Sequence, residues 1–481
     1  MTIIRRSAAL FALAVLSACA SDPSLGGASL YYGVNLVDPP TEQITPNAYI
    51  AVKDGKIARL GTGAPPSAVY ASRQDMSGGY AVPGLIDTHA HVTLGTVAFE
   101  ADPAPAFRAN YDPAYTEHSA RMLLAHGVTT IRDPGGDTAI NVAYRNAAAS
   151  GAIDGPEALV AGSVIDRSPF PFEGLSERPD DVRTIEDIAN AQADAGVDFV
   201  KLYYGLTEED IAHAAAAAQA RDIQTIGHLS ISWKKAAELG VDAIVHAMPA
   251  SVDDLEPSAR AAYLKNARPG GFAFFEWWEA ADLDGPVMRE VIRTLAERKT
   301  HIDLTLIAFK LAFWGDDPAF RDQYLGLAHP DMVENWRAFF RFDLGWRTED
   351  YARAKAVWPK ILRFARMLHD AGVPMTLGTD QANPFVAPGA SLVQEMKLHE
   401  DAGIARWAAL RMATSEAAEI LKLDAKTGRI AEGLDADVVF LNSDPTRNLD
   451  AFFNPLLVLS NGRAYDPAAL RKAAAAKPAS K

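Results

Sequence analysis

The residues of this sequence best able to do chemistry are four histidines, one lysine and one aspartate: His89, His91, Lys201, His228, His246 and Asp380. Neutral imidazole and carboxylate groups bind zinc and similar divalent metals. His89 and His91 are two residues apart, so on a strand both rings point the same way and can hold one ion. Taken singly, each histidine could instead be a packed core imidazole, and Asp380 could cap a helix.

Lys201 carries a separate chemical signal. It stands in the apolar run from Asp198 to Tyr204, which is typical of a buried strand. A buried lysine is costly unless its amine is paired or chemically modified. The sequence therefore predicts an interior role for this amine.

The elements that must position these residues form a regular alternation of short apolar runs and helical patterns. Capping boxes at Thr184–Asp187 and Thr207–Asp210 mark two helix starts. The alternation predicts an α/β fold with parallel strands, a (β/α)8 TIM barrel over residues 83–421. The eight predicted strands are Gly84–Asp87, Val128–Arg132, Ala158–Ala161, Phe199–Tyr203, Thr225–His228, Ala243–His246, His301–Phe309 and Pro374–Thr379. All six candidate residues fall at carboxyl ends of strands, where barrel enzymes place their catalytic groups.

Regions of short strands flank the predicted barrel. We expect residues 30–82 and 422–466 to pair into one small composite β-sandwich, and the Ala/Lys-rich residues 467–481 to be a flexible tail. Residues 247–299 and 310–360 exceed ordinary loop lengths. The second is rich in aromatic residues, so it is either a helical excursion with its own core or a lid over the site.

The N-terminus has the pattern of a secreted, membrane-anchored protein. Residues 1–18 contain two arginines and an apolar run too short to span a bilayer, as in a signal peptide. Cys19, the single cysteine, follows Leu16-Ser17-Ala18 and resembles a bacterial lipoprotein signal. That resemblance implies a lipidated Cys19, a tether over residues 19–29 and a location at the outer membrane facing the periplasm. The alternative is a plain secretory signal with an incidental cysteine.

The overall charge excludes one class of partner. The 481 residues carry a formal net charge of −15 and contain no marked lysine/arginine run. A cationic nucleic-acid groove is therefore not expected. The expected partners are a small molecule or short peptide as substrate and a membrane at the lipidated N-terminus, and an oligomer remains possible.

The six candidate residues, together with the segment from Gly428 to Val439, resemble the amidohydrolase superfamily of metal-dependent hydrolases. The sequence is most similar to its imidazolonepropionase-like and prolidase-like members. The resemblance implies that His89, His91 and Asp380 bind one divalent ion and that His228 and His246 bind a second. It also implies that Lys201 is carboxylated and bridges the two ions, which would be zinc or else manganese, cobalt or iron.

The resemblance also implies a reaction, cleavage of a C–N amide bond in a peptide or N-acyl amino acid, including an Xaa-Pro dipeptide. A hydroxide bridging the ions would attack the carbonyl, with Asp380 as general acid and base. Tyr203 could hydrogen-bond the oxyanion or a substrate carboxylate, or pack in the barrel mouth. Arg132 could pair with a substrate carboxylate, or with Asp133 or Asp137.

Two other functions stay open at this point. A cyclic-amide hydrolase or deaminase would use a similar site, and metal content per chain would separate a one-metal deaminase from a two-metal hydrolase. A non-catalytic binding lipoprotein is the alternative of a different class. The presence of all six ligand candidates argues against that last possibility.

Overall fold

The computed structural model describes residues 22–100, 106–169, 172–249, 251–338 and 345–475. The predicted signal peptide and Cys19 lie outside the described residues. Within these ranges, no helix combines the length and the hydrophobicity needed to cross a bilayer.

Strands from both ends of the chain form one mixed eight-stranded sheet. Its strands are β1 (Ser29–Asp38), β2 (Gln43–Lys53), β3 (Lys56–Thr62), β4 (Ser72–Asp75), β5 (Tyr80–Pro83), β19 (Val438–Leu441), β20 (Leu457–Ser460) and β21 (Arg463–Tyr465). β19 pairs antiparallel with β5, with Val439 opposite Val82, so the two flanking regions meet as predicted. Alternate residues of β1 and β2 enter two different apolar clusters, because neighbours on a strand point to opposite faces.

Eight parallel strands form the barrel: β6 (Leu85–Asp87), β9 (Val128–Asp133), β10 (Glu157–Val160), β14 (Phe199–Leu202), β15 (Gln224–Gly227), β16 (Ala243–Val245), β17 (His301–Asp303) and β18 (Met375–Thr376). They pair in this order within two parallel sheets. Two backbone hydrogen bonds join the sheets: Asp198 donates to Val160 at 2.8 Å, and Thr88 donates to Leu377 at 3.0 Å. The predicted (β/α)8 architecture is confirmed.

Helices cover the barrel strands. They are α1 (Pro113–Ala125), α2 (Thr138–Ser150), α3 (Ile185–Asp194), α4 (Glu208–Ala220), α5 (Trp233–Glu238), α6 (Pro257–Asn266), α7 (Ala273–Ala280), α8 (Pro286–Arg298), α9 (Leu306–Phe313), α10 (Pro318–Arg321), α11 (Pro330–Ala338), α12 (Thr348–Asp370), α13 (Ala390–Asp401), α14 (Arg406–Met412), α15 (Ser415–Ile420) and α16 (Pro467–Ala474). Both predicted capping boxes are confirmed, at Thr184 before α3 and at Thr207 before α4.

Three loops at the carboxyl ends of the barrel strands join one another. β7 (Val97–Glu100) and β8 (Ala106–Ala109) follow the first barrel strand and pair with each other, and β8 also pairs with β12 (Phe172–Glu173), which follows the third. Asn335 of α11, in the excursion after the seventh strand, bonds both the N–H and the C=O of Val97, at 3.0 and 2.9 Å. A short two-stranded extension, β11 (Val164–Ile165) with β13 (Ser176–Glu177), lies beside β14.

The aromatic residues of the 310–360 segment pack inwards. Trp336, Trp346 and Trp358 are buried in the main apolar cluster. The ring of Trp346 lies 5.0 Å from that of Phe275 on α7, in the other long segment. The two long segments therefore share a core, and this packing fixes α11 where it meets the first-strand loop.

The seventh barrel strand is shorter than predicted. The sequence predicts a strand over His301–Phe309, but β17 ends at Asp303 and α9 begins at Leu306. Leu306 and Ile307 donate their backbone N–H groups to the buried carboxylate of Glu395, at 3.0 and 2.6 Å. These hydrogen bonds to Glu395 stabilise the first turn of α9. The sequence could not predict this helix, because an apolar run that is buried on every side shows no helical periodicity.

The C-terminal segment is also more ordered than predicted. The sequence predicts a flexible tail from residue 467, yet α16 forms over Pro467–Ala474 with Asp466 as its N-cap. Leu470 packs against Leu124 and Ala125 at the end of α1. Burial of this one apolar face explains why an Ala/Lys-rich segment stays helical.

Candidate metal centre

His89, His91 and Asp380 meet above the first and eighth barrel strands. One ligand atom from each lies within 4.8 Å of the others. Nε2 of His89 and Nε2 of His91 are 3.3 and 3.5 Å from Oδ1 of Asp380. These three groups can hold a divalent metal ion.

Two further histidines extend this cluster across the barrel mouth. The ring centroid of His246, just after β16, lies 4.8 Å from that of His89, and its Nδ1 is 3.6 Å from Oδ2 of Asp380. The ring of His228, just after β15, lies 4.5 Å from that of His246. The structure thus brings all four predicted histidines and the aspartate into one continuous group.

The amine of Lys201 is buried in the barrel interior on β14. The residue is 2% exposed, and Nζ has no hydrogen-bond partner among the described residues. Burial lowers the pKa of Lys201 to about 7, with Asp380 opposing that shift and Arg132 adding to it. An amine in this state is available for chemical modification.

The ligand set fits divalent cations because its polar atoms lack other partners. Both ring nitrogens of His89 and of His228 make no hydrogen bond within the described part of the chain. Leaving a buried polar group unsatisfied costs about 1–3 kcal/mol. Burial also lowers the pKa of His228 to about 3, which keeps the imidazole in the neutral form that binds metals. A cation bound among these groups would satisfy them.

Neighbouring groups orient two of the imidazoles. Nδ1 of His91 must donate to the carbonyl oxygen of Gly135, 2.8 Å away, because a carbonyl can only accept. In the neutral ring that bond keeps the proton on Nδ1 and leaves Nε2, which faces Asp380, free to bind a metal. Nδ1 of His246 lies 3.0 Å from Oγ1 of Thr305, a hydroxyl that can donate or accept, so this contact orients the ring without selecting its tautomer.

The backbone at the site adopts conformations that side chains rarely tolerate. His246, Thr305 and Asp380 have φ angles of 75°, 45° and 60°, in the left-handed region. Such conformations cost about 1–3 kcal/mol each and tend to cluster at functional sites. Hydrogen bonds within the barrel stabilise these backbone conformations. For example, the backbone N–H of Asp380 donates to the carbonyl oxygen of His89 at 2.7 Å.

Sequence reasoning missed three buried carboxylates around the cluster. Asp87 accepts hydrogen bonds from the backbone of His89 and from the Thr379 hydroxyl, at 3.1 and 2.8 Å. Asp133 lies 3.8 Å from Nδ1 of His91, and Asp303 lies 4.0 Å from Nδ1 of His89. Each of these three carboxylates lies at the end of an apolar strand, and that sequence pattern could have predicted them.

Arg132 does not reach the mouth of the barrel, as a contact with a substrate carboxylate would require. It is 2% exposed, and Nε donates to the carbonyl oxygen of Thr88 at 2.7 Å. Nη1 donates to Nε2 of His301 at 3.0 Å. Its nearest anionic partner is Asp303, at 3.9 Å, rather than the predicted Asp133 or Asp137. The guanidinium of Arg132 contacts residues inside the barrel, because β9 directs this side chain inwards.

Tyr203 lies beside the cluster, on the side of His228. Its ring meets that of His228 edge-on, with centroids 5.0 Å apart. Tyr204 lies 5.9 Å from the same imidazole and is 38% exposed. His228 is therefore flanked by two tyrosine rings, of which that of Tyr204 belongs to an exposed residue.

Comparison with known proteins places this site in a family. The model of the Amidohydrolase family matches residues 80–464, which is most of the chain. The chain belongs to the amidohydrolase family, and it is a hydrolase whose fold agrees with that membership, as do the three residues that could hold a metal ion.

Individual relatives are distant. An imidazolonepropionase of Streptococcus sanguinis (strain SK36) is 25% identical over 271 residues, covering 47% of this chain and 63% of that protein, so the match spans less than two thirds of the relative. A crystal structure of a Xaa-Pro dipeptidase with bound methionine is 19% identical with a TM-score of 0.65, covering 92% of this chain and 100% of that one. A bottromycin amidohydrolase is 21% identical with a TM-score of 0.69, covering 93% and 91%. These structural likenesses establish the fold alone.

Proposed function

We propose that this protein is a two-metal amidohydrolase that cleaves the C–N amide bond of a short peptide or an N-acyl amino acid. The observation that carries the proposal is the buried amine of Lys201, which has no hydrogen-bond partner within the described part of the chain and lies next to four histidines and Asp380. A single-metal site would need no such lysine. His89, His91 and Asp380 would hold one ion, His228 and His246 the other, and Lys201 would link them.

Lys201 would act as a ligand after reaction with CO₂. The neutral amine nitrogen forms a bond to the carbon of CO₂ and releases one proton, which gives an anionic carbamate with two ligand oxygens. The shift of the lysine pKa to about 7 supports this step, because it leaves a large fraction of the amine neutral at neutral pH. Zinc is the expected metal, with manganese, cobalt or iron as alternatives.

When bound, the two ions would activate water and polarise the scissile carbonyl. Asp380 is placed to move the proton. The surrounding imidazoles oppose the effect of burial and hold the pKa of Asp380 well below its usual range, so Oδ1 and Oδ2 are ionised and can accept a proton from water. The same carboxyl can then return that proton to the departing nitrogen, which leaves poorly unless protonated.

Contacts between the loops above the barrel support a small substrate. The loops after barrel strands one, three and seven are joined to one another at the carboxyl ends of the strands. Joined loops at this end of the barrel favour a short peptide or an N-acyl amino acid over a large substrate. The fold similarity to a Xaa-Pro dipeptidase and to a bottromycin amidohydrolase is compatible with this substrate class.

A cyclic-amide hydrolase or deaminase of the same family is the second candidate. The partial match to an imidazolonepropionase favours it, since that name indicates an imidazolone substrate. Metal analysis separates the candidates, because two ions per chain support the proposal and one ion supports a deaminase.

The decisive experiment is a substrate screen on metal-reconstituted protein. Libraries of dipeptides, N-acyl amino acids and cyclic amides would be incubated with protein loaded with Zn²⁺, Mn²⁺ or Co²⁺, and release of free amine would be measured. We expect hydrolysis of linear amides. Turnover of only cyclic amides would support the second candidate, and background rates with all three metals would support a binding lipoprotein.

Tyr203→Phe is expected to lower kcat by about 10²-fold, since it removes one hydroxyl that can bond the developing oxyanion and keeps the ring against His228. Steady-state kinetics on the best substrate would measure this. Tyr204→Phe is the matched control, because its ring lies farther from His228. An equal effect in both variants, or a normal kcat in Tyr203→Phe, would contradict the proposed contact.

We also propose that the protein is anchored to the outer membrane through a lipid on Cys19. Cys19→Ala is then expected to move the protein from the membrane fraction to the soluble periplasmic fraction. Fractionation of cells expressing the full-length chain, followed by immunoblotting, would measure the distribution. Unchanged membrane association of the variant would refute the anchor.

A further inference from the structure

We infer that Asp303 is a positioning residue that orients His89 toward its metal ion, and that Arg132 holds Asp303 in place. The inference rests on the metal binding in the proposed function and adds two residues that do not touch the metal. Nε2 of His89 faces Asp380 at 3.3 Å, while Nδ1 on the far side of the ring faces Oδ2 of Asp303 at 4.0 Å. At 4.0 Å this is a charge contact rather than a hydrogen bond, and a carboxylate on that side of a metal-binding imidazole favours the tautomer that carries its proton on Nδ1 and leaves Nε2 free for the ion.

The carboxylate of Asp303 is itself held on three sides. The hydroxyl of Thr88 donates to Oδ2 at 2.9 Å, and the backbone N–H groups of Gly378 and Thr305 donate to Oδ1 at 3.1 and 3.2 Å. Asp303 is fully buried. Its position is therefore set by the barrel rather than by solvent.

Gly378 gives independent evidence that Asp303 and His89 pack as a unit. A Cβ atom added at this residue would lie 2.1 Å from Oδ2 of Asp303 and 2.4 Å from Cβ of His89. Both contacts are too short for any side chain. The absence of a side chain at residue 378 lets the carboxylate and the histidine approach each other.

Arg132 provides the positive charge that such a buried carboxylate needs. Its Nη2 is 3.9 Å from Oδ2 of Asp303, and Nε and Nη1 are anchored on Thr88 and His301. The hydrogen bonds from Nε and Nη1 fix the planar guanidinium, and Nη2 faces Asp303 as a charge contact that is longer than a hydrogen bond. A buried acid without a countercharge is costly, so removing Arg132 would also disturb Asp303.

The orientation of the His89 ring depends more on Asp303 than the orientation of the His91 ring depends on Asp133. Nδ1 of His91 already donates to the carbonyl oxygen of Gly135. Nδ1 of His89 has no hydrogen-bond partner in the described ranges, and Asp303 is the carboxylate that faces it. Loss of Asp303 should therefore weaken the ion held by His89 while sparing the other.

The test measures metal affinity, which does not depend on knowing the substrate. Asp303→Asn keeps the shape of the side chain and removes its charge. We expect one of the two ions to bind about 10–100-fold more weakly in chelator competition with Zn²⁺ or Mn²⁺. Asp254→Asn is the matched control, because Asp254 is also buried and hydrogen-bonded, but its partners are the hydroxyl of Ser232 and the backbone N–H of Trp233 at the start of α5 rather than a candidate metal ligand. Its metal affinity should stay at the wild-type value.

Two further variants keep the inference testable if Asp303→Asn folds poorly. Thr88→Val removes only one donor to Asp303 and should weaken the same ion by a smaller factor. Arg132→Met should weaken it too, and the double variant Arg132→Met/Asp303→Asn should lose less than the sum of the single losses, since both act through one contact. Thermal unfolding of the metal-free proteins monitors folding in each case.

The outcomes separate this inference from the proposed function. Wild-type affinity for both ions in folded Asp303→Asn would overturn the inference and leave the proposed function intact. A wild-type protein that binds no ion would refute both. Weakened binding of one ion in Asp303→Asn, with the Asp254→Asn control unchanged, would support the positioning role whatever the substrate proves to be.

Discussion

Lys201→Ala is expected to lose at least one of the two metal ions and nearly all hydrolytic activity. The variant removes the group proposed to link the ions, and even outer partners of metal ligands contribute about 10–100-fold to affinity or activity. Loss of a direct bridging ligand should exceed that range. Metal content by elemental analysis and turnover on the best screened amide would measure both effects.

Lys235→Ala is the control for this prediction, because Lys235 is a half-exposed lysine on α5 outside the cluster. It should keep both ions and normal turnover. Metal uptake by wild-type apoprotein should also rise with added bicarbonate, since a carbamate requires CO₂. Wild-type metal content in Lys201→Ala would exclude a bridging role for this lysine.

Asp380→Asn is expected to fold normally and to lower kcat by about 10²–10⁴-fold, the usual range for loss of a general acid–base group. Asparagine keeps the size of the side chain and can still contact His89 and His91, but it cannot accept and return a proton. Because Asp380 is also a proposed metal ligand, metal content must be measured beside kcat.

The control for Asp380→Asn is Asp437→Asn, a buried carboxylate that bonds Thr427 and Asn461 next to the eight-stranded sheet. It can affect stability but should leave kcat unchanged. A metal-loaded Asp380→Asn enzyme with near-normal kcat would remove the proton-transfer role of Asp380 and leave it as a ligand alone.

The sequence predicted the barrel and its ligand types because both are local patterns. Alternating strands and helices are readable from periodicity, and His89 and His91 share a face because strand side chains alternate. The carboxyl ends of all parallel strands meet at one rim, so residues at those ends could be expected to converge. The structure brings His89, His91 and Asp380 within 4.8 Å on this basis.

The periodicity of the sequence did not predict secondary structure correctly where burial or long-range packing outweighed the local pattern. The run after Asp303 is apolar on every side, so nothing in its pattern distinguished strand from helix, and Glu395 decided in favour of α9. The last helix, α16, is held by contacts with α1 that no local pattern encodes.

What the sequence by itself determined is the set of candidate ligand side chains and the rim of the barrel on which they lie. Only the tertiary structure decided which buried residues support these side chains. Thr88 and Asp303 are 215 residues apart yet bond at 2.9 Å, and Arg132 turned inwards to Asp303 rather than outwards to a substrate. The physical reason is that the barrel brings strands that are distant in sequence side by side. The partners of each buried charge therefore depend on the tertiary fold rather than on the residues next to it in the sequence.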